Sequence, residues 1–265
     1  MDRYALITGA SRGIGLAFAE ILAKQGYDLL LIARDETKLA AIQKRLQDNF
    51  HITVVIFPVD LSVSGSSQSL IDFVLRNNIA VHVLINNAGF GYFGGYFNLS
   101  LARELEMINL NIVSVVYLTR YFLGSMLKSG SGIIINIAST AAFAPRPYAG
   151  SYSASKSYLL SYTESLAGEF KGSGVKLMAL CPGPTRTEFH RQSGDMVSDR
   201  ELNLMPAAEK VAEYGWRSLR KKQVVVIYGW RNKLFIVLAR IIPRGRVRNI
   251  LSFIKRSFSP VKLKH

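Results

Sequence analysis

The 265-residue chain is short of the residues that staple a fold covalently or through metal. Cys181 is its single cysteine, so no internal disulfide can form, which fits a reducing compartment. Its four histidines (His51, His82, His190 and His265) are scattered without metal-ligand spacing, and no metal site is expected. No run reaches 18 apolar residues, so no ordinary transmembrane helix is expected. The N-terminal apolar segment breaks at once into Thr8-Gly9-Ala10-Ser11-Arg12-Gly13, unlike a signal peptide. Acidic residues are missing from one whole end. Glu213 is the last of them, and residues 214–265 hold 14 of the 33 Lys and Arg. The first 213 residues keep 19 basic against 18 acidic groups, so a near-neutral body carries a strongly cationic tail. Such asymmetry suggests an acidic partner: a membrane surface, an acidic protein, a phosphorylated substrate or nucleic acid.

What is present suits one large α/β domain. Hydrophobic residues make up 49% and 21 glycines are spread along the chain, which excludes a disordered or fibrous protein. Apolar runs predict strands at Tyr4–Thr8, Tyr27–Ala33, Thr53–Val59, Val81–Asn86, Gly132–Ala138, Val175–Cys181 and Gln223–Tyr228. Helical patterns separate them, including a long apolar one over Leu101–Leu127. This alternation predicts a parallel sheet of about seven strands covered on both faces. No linker divides the chain. Residues 1–230 read as one domain and 231–265 as a C-terminal helical extension.

Gly9-x-x-x-Gly13-x-Gly15 lies between the first strand and the first helix. Glycines there allow a tight turn and let a pyrophosphate approach the helix N-terminus, where free N–H groups favour an anion. After the second strand comes Ala33-Arg34-Asp35. Arg34 and Arg12 together favour the extra phosphate of NADP(H) over NAD(H), while Asp35 is placed to turn inward in place of Arg34. In Ser151-Tyr152-Ser153-Ala154-Ser155-Lys156 a phenol and an ammonium stand four apart on a predicted helix, hence on one face. A lysine cation there would lower the phenol pKa toward a useful proton donor. Alone, that spacing is common.

Several motifs in order make the chain resemble the short-chain dehydrogenase/reductase family over residues 4 to about 190. Thr8–Gly15 is similar to its cofactor turn, Asp60-Leu61 to the pair at the adenine, and Asn86-Asn87-Ala88-Gly89 to its NNAG segment. Asn111 resembles its helix asparagine, with Asn109 nearby as the other choice. Ser139 stands 13 residues before Tyr152, and Pro182-Gly183-Pro184-Thr185-Arg186-Thr187 is similar to the segment holding the nicotinamide carboxamide. The resemblance implies a Rossmann-type doubly wound fold and hydride transfer between nicotinamide and a carbonyl or alcohol. It implies Tyr152 as general acid and base, Ser139 on the carbonyl oxygen, Lys156 on the phenol and the nicotinamide ribose, and Asn111 on a water chain from Lys156. The implied cofactor contacts are Gly9, Ser11, Arg12, Gly13, Ile14, Gly15, Arg34, Asp60, Leu61, Asn87, Ala88, Gly89, Tyr152, Lys156, Pro182, Gly183, Thr185 and Thr187. A homodimer or homotetramer, paired through the long helix and the Tyr152 helix, is implied by the same analogy.

Phe90, Tyr92, Phe93, Phe143, Tyr148 and Phe189 are expected near the site and suggest an apolar substrate: a 3-oxoacyl chain, a steroid-like ketone or a long aldehyde. The loop from Phe189 to Leu204, with Gly194, is expected over the substrate. In the tail, Leu234, Phe235, Leu238, Ile241 and Ile242 form one stripe, and Val247, Ile250, Leu251, Ile254 and Phe258 a second. Arg244, Arg246, Arg248, Lys255 and Arg256 flank it. The stripes suit packing on the body or across a dimer, or an anionic membrane surface. Acidic carriers come next, and nucleic acid last. A cytoplasmic enzyme, with peripheral attachment at the inner membrane surface as an option, is expected. The rival is a non-catalytic NADP-binding scaffold attached through the tail.

Overall fold

The computed structural model describes residues 3–193 and 197–258. Gly194 of the substrate loop and the end of the tail, 259–265, lie outside the described residues, as do the side chains of Lys255, Arg256 and Phe258. In chain order the elements are β1 (Tyr4–Thr8), α1 (Gly13–Lys24), β2 (Asp28–Ala33), α2 (Glu36–Phe50), β3 (Val54–Pro58), α3 (Ser66–Arg76) and β4 (Val81–Asn86). After them come α4 (Leu101–Ile108), α5 (Ser114–Ser129), β5 (Gly132–Ile137), α6 (Gly150–Glu169) and β6 (Val175–Cys181). The last part holds α7 (Phe189–Gln192), α8 (Asp199–Leu204), α9 (Ala208–Ser218), β7 (Val225–Ile227), α10 (Trp230–Ile241) and α11 (Arg244–Phe258).

The strands form one parallel sheet in the order β3-β2-β1-β4-β5-β6-β7. Side chains alternate between its faces. Ala5, Ile7, Leu29 and Leu31 join the core under α1, α2 and α9, while Leu6, Leu30 and Ile32 join the one under α3 and α5. Both faces are covered, which explains why β2 reads as an unbroken apolar run. The chain order reverses between β1 and β4, and the crevice at the carboxyl ends there is where such sheets bind ligands.

The long apolar helix is not one uniform helix. A π turn over Asn109–Val113 joins α4 to α5, with Ser114 N–H donating to Asn109 O five residues back. By length and composition alone, Leu101–Ser129 as a whole is long and apolar enough to cross a membrane. Here it is a covering layer of the sheet, burying Val115, Leu118, Phe122 and Met126.

The tail corrects a second expectation. Of the stripe expected to act as one face of α10, Leu234, Leu238 and Ile241 are exposed, while Phe235 and Ile242 are half-buried. The docking side is centred on the buried Ile236, with Asn232 and Ala239 beside it.

Candidate active site

The site is built from the carboxyl ends of the strands. Thr8 ends β1, and its buried hydroxyl accepts from the N–H groups of Asn87 (3.0 Å) and Ala88 (2.9 Å) while donating to Ile85 O (3.3 Å). Asn87 returns the contact through its amide, which donates to Thr8 O (3.0 Å) and Gly9 O (3.1 Å). Gly9 has φ +65°, and a Cβ there would lie 2.7 Å from the Asn87 amide. At Gly15 a Cβ would lie 2.3 Å from Gly9 O. The turn therefore closes only with glycine at both places. Arg12, at the N-cap of α1, makes no side-chain cap bond to the helix. The first N–H groups of α1 thus face the cleft without a side-chain cap, which fits a dinucleotide's pyrophosphate.

One cleft of about 610 Å³ runs from this turn to Phe189 and His190. That is the size expected of a cofactor-and-substrate site. It is lined by Gly9, Ser11, Arg12, Gly13, Ile14, Arg34, Asp60, Leu61, Asn87, Ala88, Gly89, Ser139, Tyr152, Lys156, Pro182, Gly183, Thr185 and Thr187. Two of the catalytic and cofactor residues named from sequence do not line it. Gly15 is a packing residue of the turn, and Asn111 lies beneath, fully buried in the π turn. Asn86, of the same NNAG segment, also points away, donating to Thr119 Oγ1 (3.0 Å) and Asn136 Oδ1 (2.8 Å).

At the far end, β5 and α6 bring three groups together. Ser139 caps the turn after β5, and its oxygen accepts from Ala141 N–H (3.0 Å), leaving its proton for another acceptor. Tyr152 and Lys156 are both buried on α6. The Lys156 ammonium donates to Ile137 O (2.8 Å) and lies 5.9 Å from the centre of the Tyr152 ring. Burial pushes the ammonium down to a pKa of about 8. It also raises the Tyr152 phenol, against a hydrogen bond with Ser139 and the charge of Arg146, which lower it. The lowering expected from Lys156 is not found in this chain: desolvation dominates, and the groups that oppose it are Ser139 and Arg146.

Asn111 is a clamp. Its amide donates to Phe90 O (2.9 Å) and Ser155 Oγ (3.0 Å), and its oxygen accepts from Phe90 N–H (3.2 Å). It ties the loop after β4 to α6 one residue before Lys156. Gly89 is wedged between them, since a Cβ there would lie 2.9 Å from Asn111 Oδ1 and 3.4 Å from Lys156 Nζ.

Of the six aromatics expected at the site, Phe90, Phe93 and Phe189 line the cleft, whereas Tyr92, Phe143 and Tyr148 do not. The Phe93 and Phe189 rings lie 5.5 and 5.6 Å from the Tyr152 ring. Phe93 N–H donates to Ser193 O (2.8 Å), which draws the loop after β4 against the end of α7. Three residues were missed from sequence, and Thr8 was named only as part of the cofactor turn, without a role. Arg146 carried the signal of a charge between two prolines in the loop joining Ser139 to Tyr152. Gly91, where a Cβ would lie 2.9 Å from the Tyr152 ring, and Glu188, ion-paired with Arg12, had no local signal.

The nucleotide end answers the Arg34 and Asp35 alternative in part. Asp35 is the N-cap of α2, accepting from Lys38 N–H (3.0 Å), the main cause of its lowered pKa. Arg34 lies 3.5 Å from Asp60. Burial raises the Asp60 carboxyl, but hydrogen bonds from Ser62 Oγ (2.6 Å) and N–H (2.9 Å), with the charge of Arg34, outweigh it and hold the pKa low.

The family model described as short chain dehydrogenase matches residues 3–198. The chain belongs to the short-chain dehydrogenase/reductase family. It is an oxidoreductase family, and the relatives differ in chemistry. A ketoacyl reductase of Nostoc sp. is 32% identical over 84% of this chain and 77% of its own. An inactive hydroxysteroid dehydrogenase-like protein 1 of Homo sapiens is 29% identical over 91% of this chain and 72% of its own. Among solved structures, a short-chain dehydrogenase from Sphingobium yanoikuyae in complex with NADPH is 30% identical, with a TM-score of 0.80 over 87% of this chain and 88% of that one. One from Burkholderia phymatum in complex with NAD is 27% identical, with a TM-score of 0.79 over 89% and 92%.

Proposed function

We propose that this short-chain dehydrogenase transfers a hydride between NADP(H) and an apolar carbonyl or alcohol, with Tyr152 as the proton donor and acceptor. The observation that carries the proposal is the buried Tyr152 phenol in the cleft, hydrogen-bonded with Ser139 and flanked by Phe93 and Phe189. The α1 N-terminus, Gly9 and Gly13 would hold the pyrophosphate. Asp60 and Leu61 would flank the adenine, and Asn87–Gly89 the nucleoside. Pro182, Gly183, Thr185 and Thr187 would hold the nicotinamide end. Once bound, the nicotinamide supplies or accepts the hydride. Ser139 turns its proton from the phenol to the carbonyl oxygen and fixes its position. Tyr152 passes its proton to that oxygen as negative charge develops there, or removes it in reverse. Lys156 supplies positive charge behind the phenol. The preference for NADP(H) is supported by Arg12 and Arg34 on the cleft wall, where Asp35 also stands but is engaged as a helix cap. An apolar substrate, such as a 3-oxoacyl chain, is supported by the aromatic walls and by the ketoacyl reductase among the relatives.

Turnover is measured by the loss of reduced-nicotinamide absorbance over a panel of apolar ketones and 3-oxoacyl thioesters. Tyr152→Phe is expected to cut it roughly 10³-fold while NADPH affinity holds. Substantial residual turnover would overturn the assignment. The inactive human relative favours a second reading, a nucleotide-binding scaffold, and no turnover on any carbonyl despite tight NADPH binding would support it. The proposal also includes a homodimer. Leu105, Val113, Tyr117 and Tyr158 are exposed along α4, the π turn, α5 and α6, where a second copy would cover them. Cytoplasmic residence belongs to the same reading.

A further inference from the structure

α10 has two apolar sides. At ~100° per residue, Asn232, Phe235, Ile236 and Ala239 share one side and Trp230, Leu234, Val237, Leu238 and Ile241 the opposite one. The first side docks on the body. Asn232 presses on Gly183, where a Cβ would lie 2.4 Å from its amide, and Arg240 lies over Phe143 at 5.7 Å. Gly183 lines the cleft, and Phe143 ends the turn that Ser139 caps. The second side meets solvent: Trp230 is 70% exposed, Ile241 75%, and Leu234, Val237 and Leu238 about half. On α11, Ile250, Phe253 and Ile254 are likewise exposed.

Five large apolar side chains on one exposed face are costly in water, and a folded chain keeps such a patch where a partner covers it. Charge identifies the partner. Arg231 borders the exposed stripe of α10 on one side, and Lys233 and Arg240 on the other. Arg244, Arg246 and Arg248 follow as exposed residues of α11. No Asp or Glu occurs anywhere in 214–265 to neutralise them. An apolar stripe between two rows of cations is the arrangement of a helix lying in a lipid interface, with its apolar side among the acyl chains and its cations at anionic headgroups. A second copy of this face would set the same cations against each other.

We propose that α10 and α11 form a docking face for an anionic lipid bilayer. Because the inward side of α10 rests on the Gly183 and Phe143 loops, docking would hold the rim of the cleft beside the membrane. The inference does not depend on the catalytic reading. It is tested on the full chain by sedimentation with phosphatidylcholine vesicles, with and without phosphatidylglycerol, together with the emission of Trp230. The expected result is co-sedimentation with the phosphatidylglycerol vesicles, weakened by high salt, with a blue shift that brominated lipid quenches. Leu234→Glu with Ile241→Glu is expected to lower vesicle affinity at least about tenfold while NADPH binding holds, which shows that the fold survives. Equal binding by the double variant, equal binding to both vesicle types, or no binding would overturn the proposal. So would loss of self-association in the double variant without change at vesicles, because the face would then belong to a second copy.

Discussion

At the scale of single residues, the site runs on desolvation. Burial takes Lys156 from its ordinary 10.5 to about 8 and Cys181 from 9.0 to about 12. The two act on stability in opposite directions. For Lys156 the folded pKa is the lower, so the unfolded chain binds more protons between about 8 and 10.5, and stability rises with pH there. For Cys181 the folded pKa is the higher, so stability falls as pH rises between 9 and about 12. Below pH 9 the lysine acts with little opposition. Denaturant unfolding of the cofactor-free protein is expected to gain about 1 kcal/mol between pH 7 and 9. Lys156→Met, which keeps the bulk and removes the titration, is expected to flatten that rise. An equal rise in the variant would move the cause elsewhere. Arg146 and Gly91 also belong at this scale. Arg146 acts on Tyr152 by charge, and its place between two prolines shortly before Tyr152 was a signal that does not say which way the side chain turns. Gly91 leaves room for the Tyr152 ring and was not legible, because it matters only through a neighbour far away in sequence.

Elements were more legible than their junctions. All seven strands stand where apolar runs placed them, within a residue or two at each end, because strands buried on both faces admit little else. The π turn at Asn109–Val113 was not visible, since nothing in Asn109-Leu110-Asn111-Ile112-Val113 breaks helical periodicity. It is revealed by the clamp Asn111 makes with Phe90 and Ser155. The docking side of α10 was misjudged for a related reason. Both sides carry apolar residues, and the choice rests on Asn232 fitting close to Gly183 and on Ile236 being buried. The two helices at the nucleotide end show how caps divide labour. Asp35 caps α2, whereas α1 has no side-chain cap. Arg34→Ala is expected to lower kcat/KM for NADPH relative to NADH roughly tenfold, the scale of one charge-assisted contact. Asp35→Ala is expected to lower the melting temperature and leave that ratio in place. A ratio that moves with Asp35 and not with Arg34 would refute this division.

The whole molecule presents two exposed apolar faces of different character. One runs over α4, the π turn, α5 and α6 through Leu105, Val113, Tyr117 and Tyr158, with acidic Glu104, Glu106 and Glu164 on the same group of helices as Arg103 and Arg120. Mixed signs suit a self-complementary contact, in which each copy offers both charges to the other. The other face, on α10 and α11, carries one sign only and would repel itself. The two faces should therefore separate by experiment. Val113→Glu with Tyr117→Glu is expected to turn a dimer into a monomer by light scattering and to leave vesicle binding per chain nearly intact. The α10 double variant is expected to do the reverse, keeping the dimer and losing the vesicles. If the α5 variant stays dimeric, the helical face is not the contact. If it loses vesicle binding as completely as the α10 variant does, two weak tails must engage together before either holds, and attachment then depends on dimerisation through effective concentration.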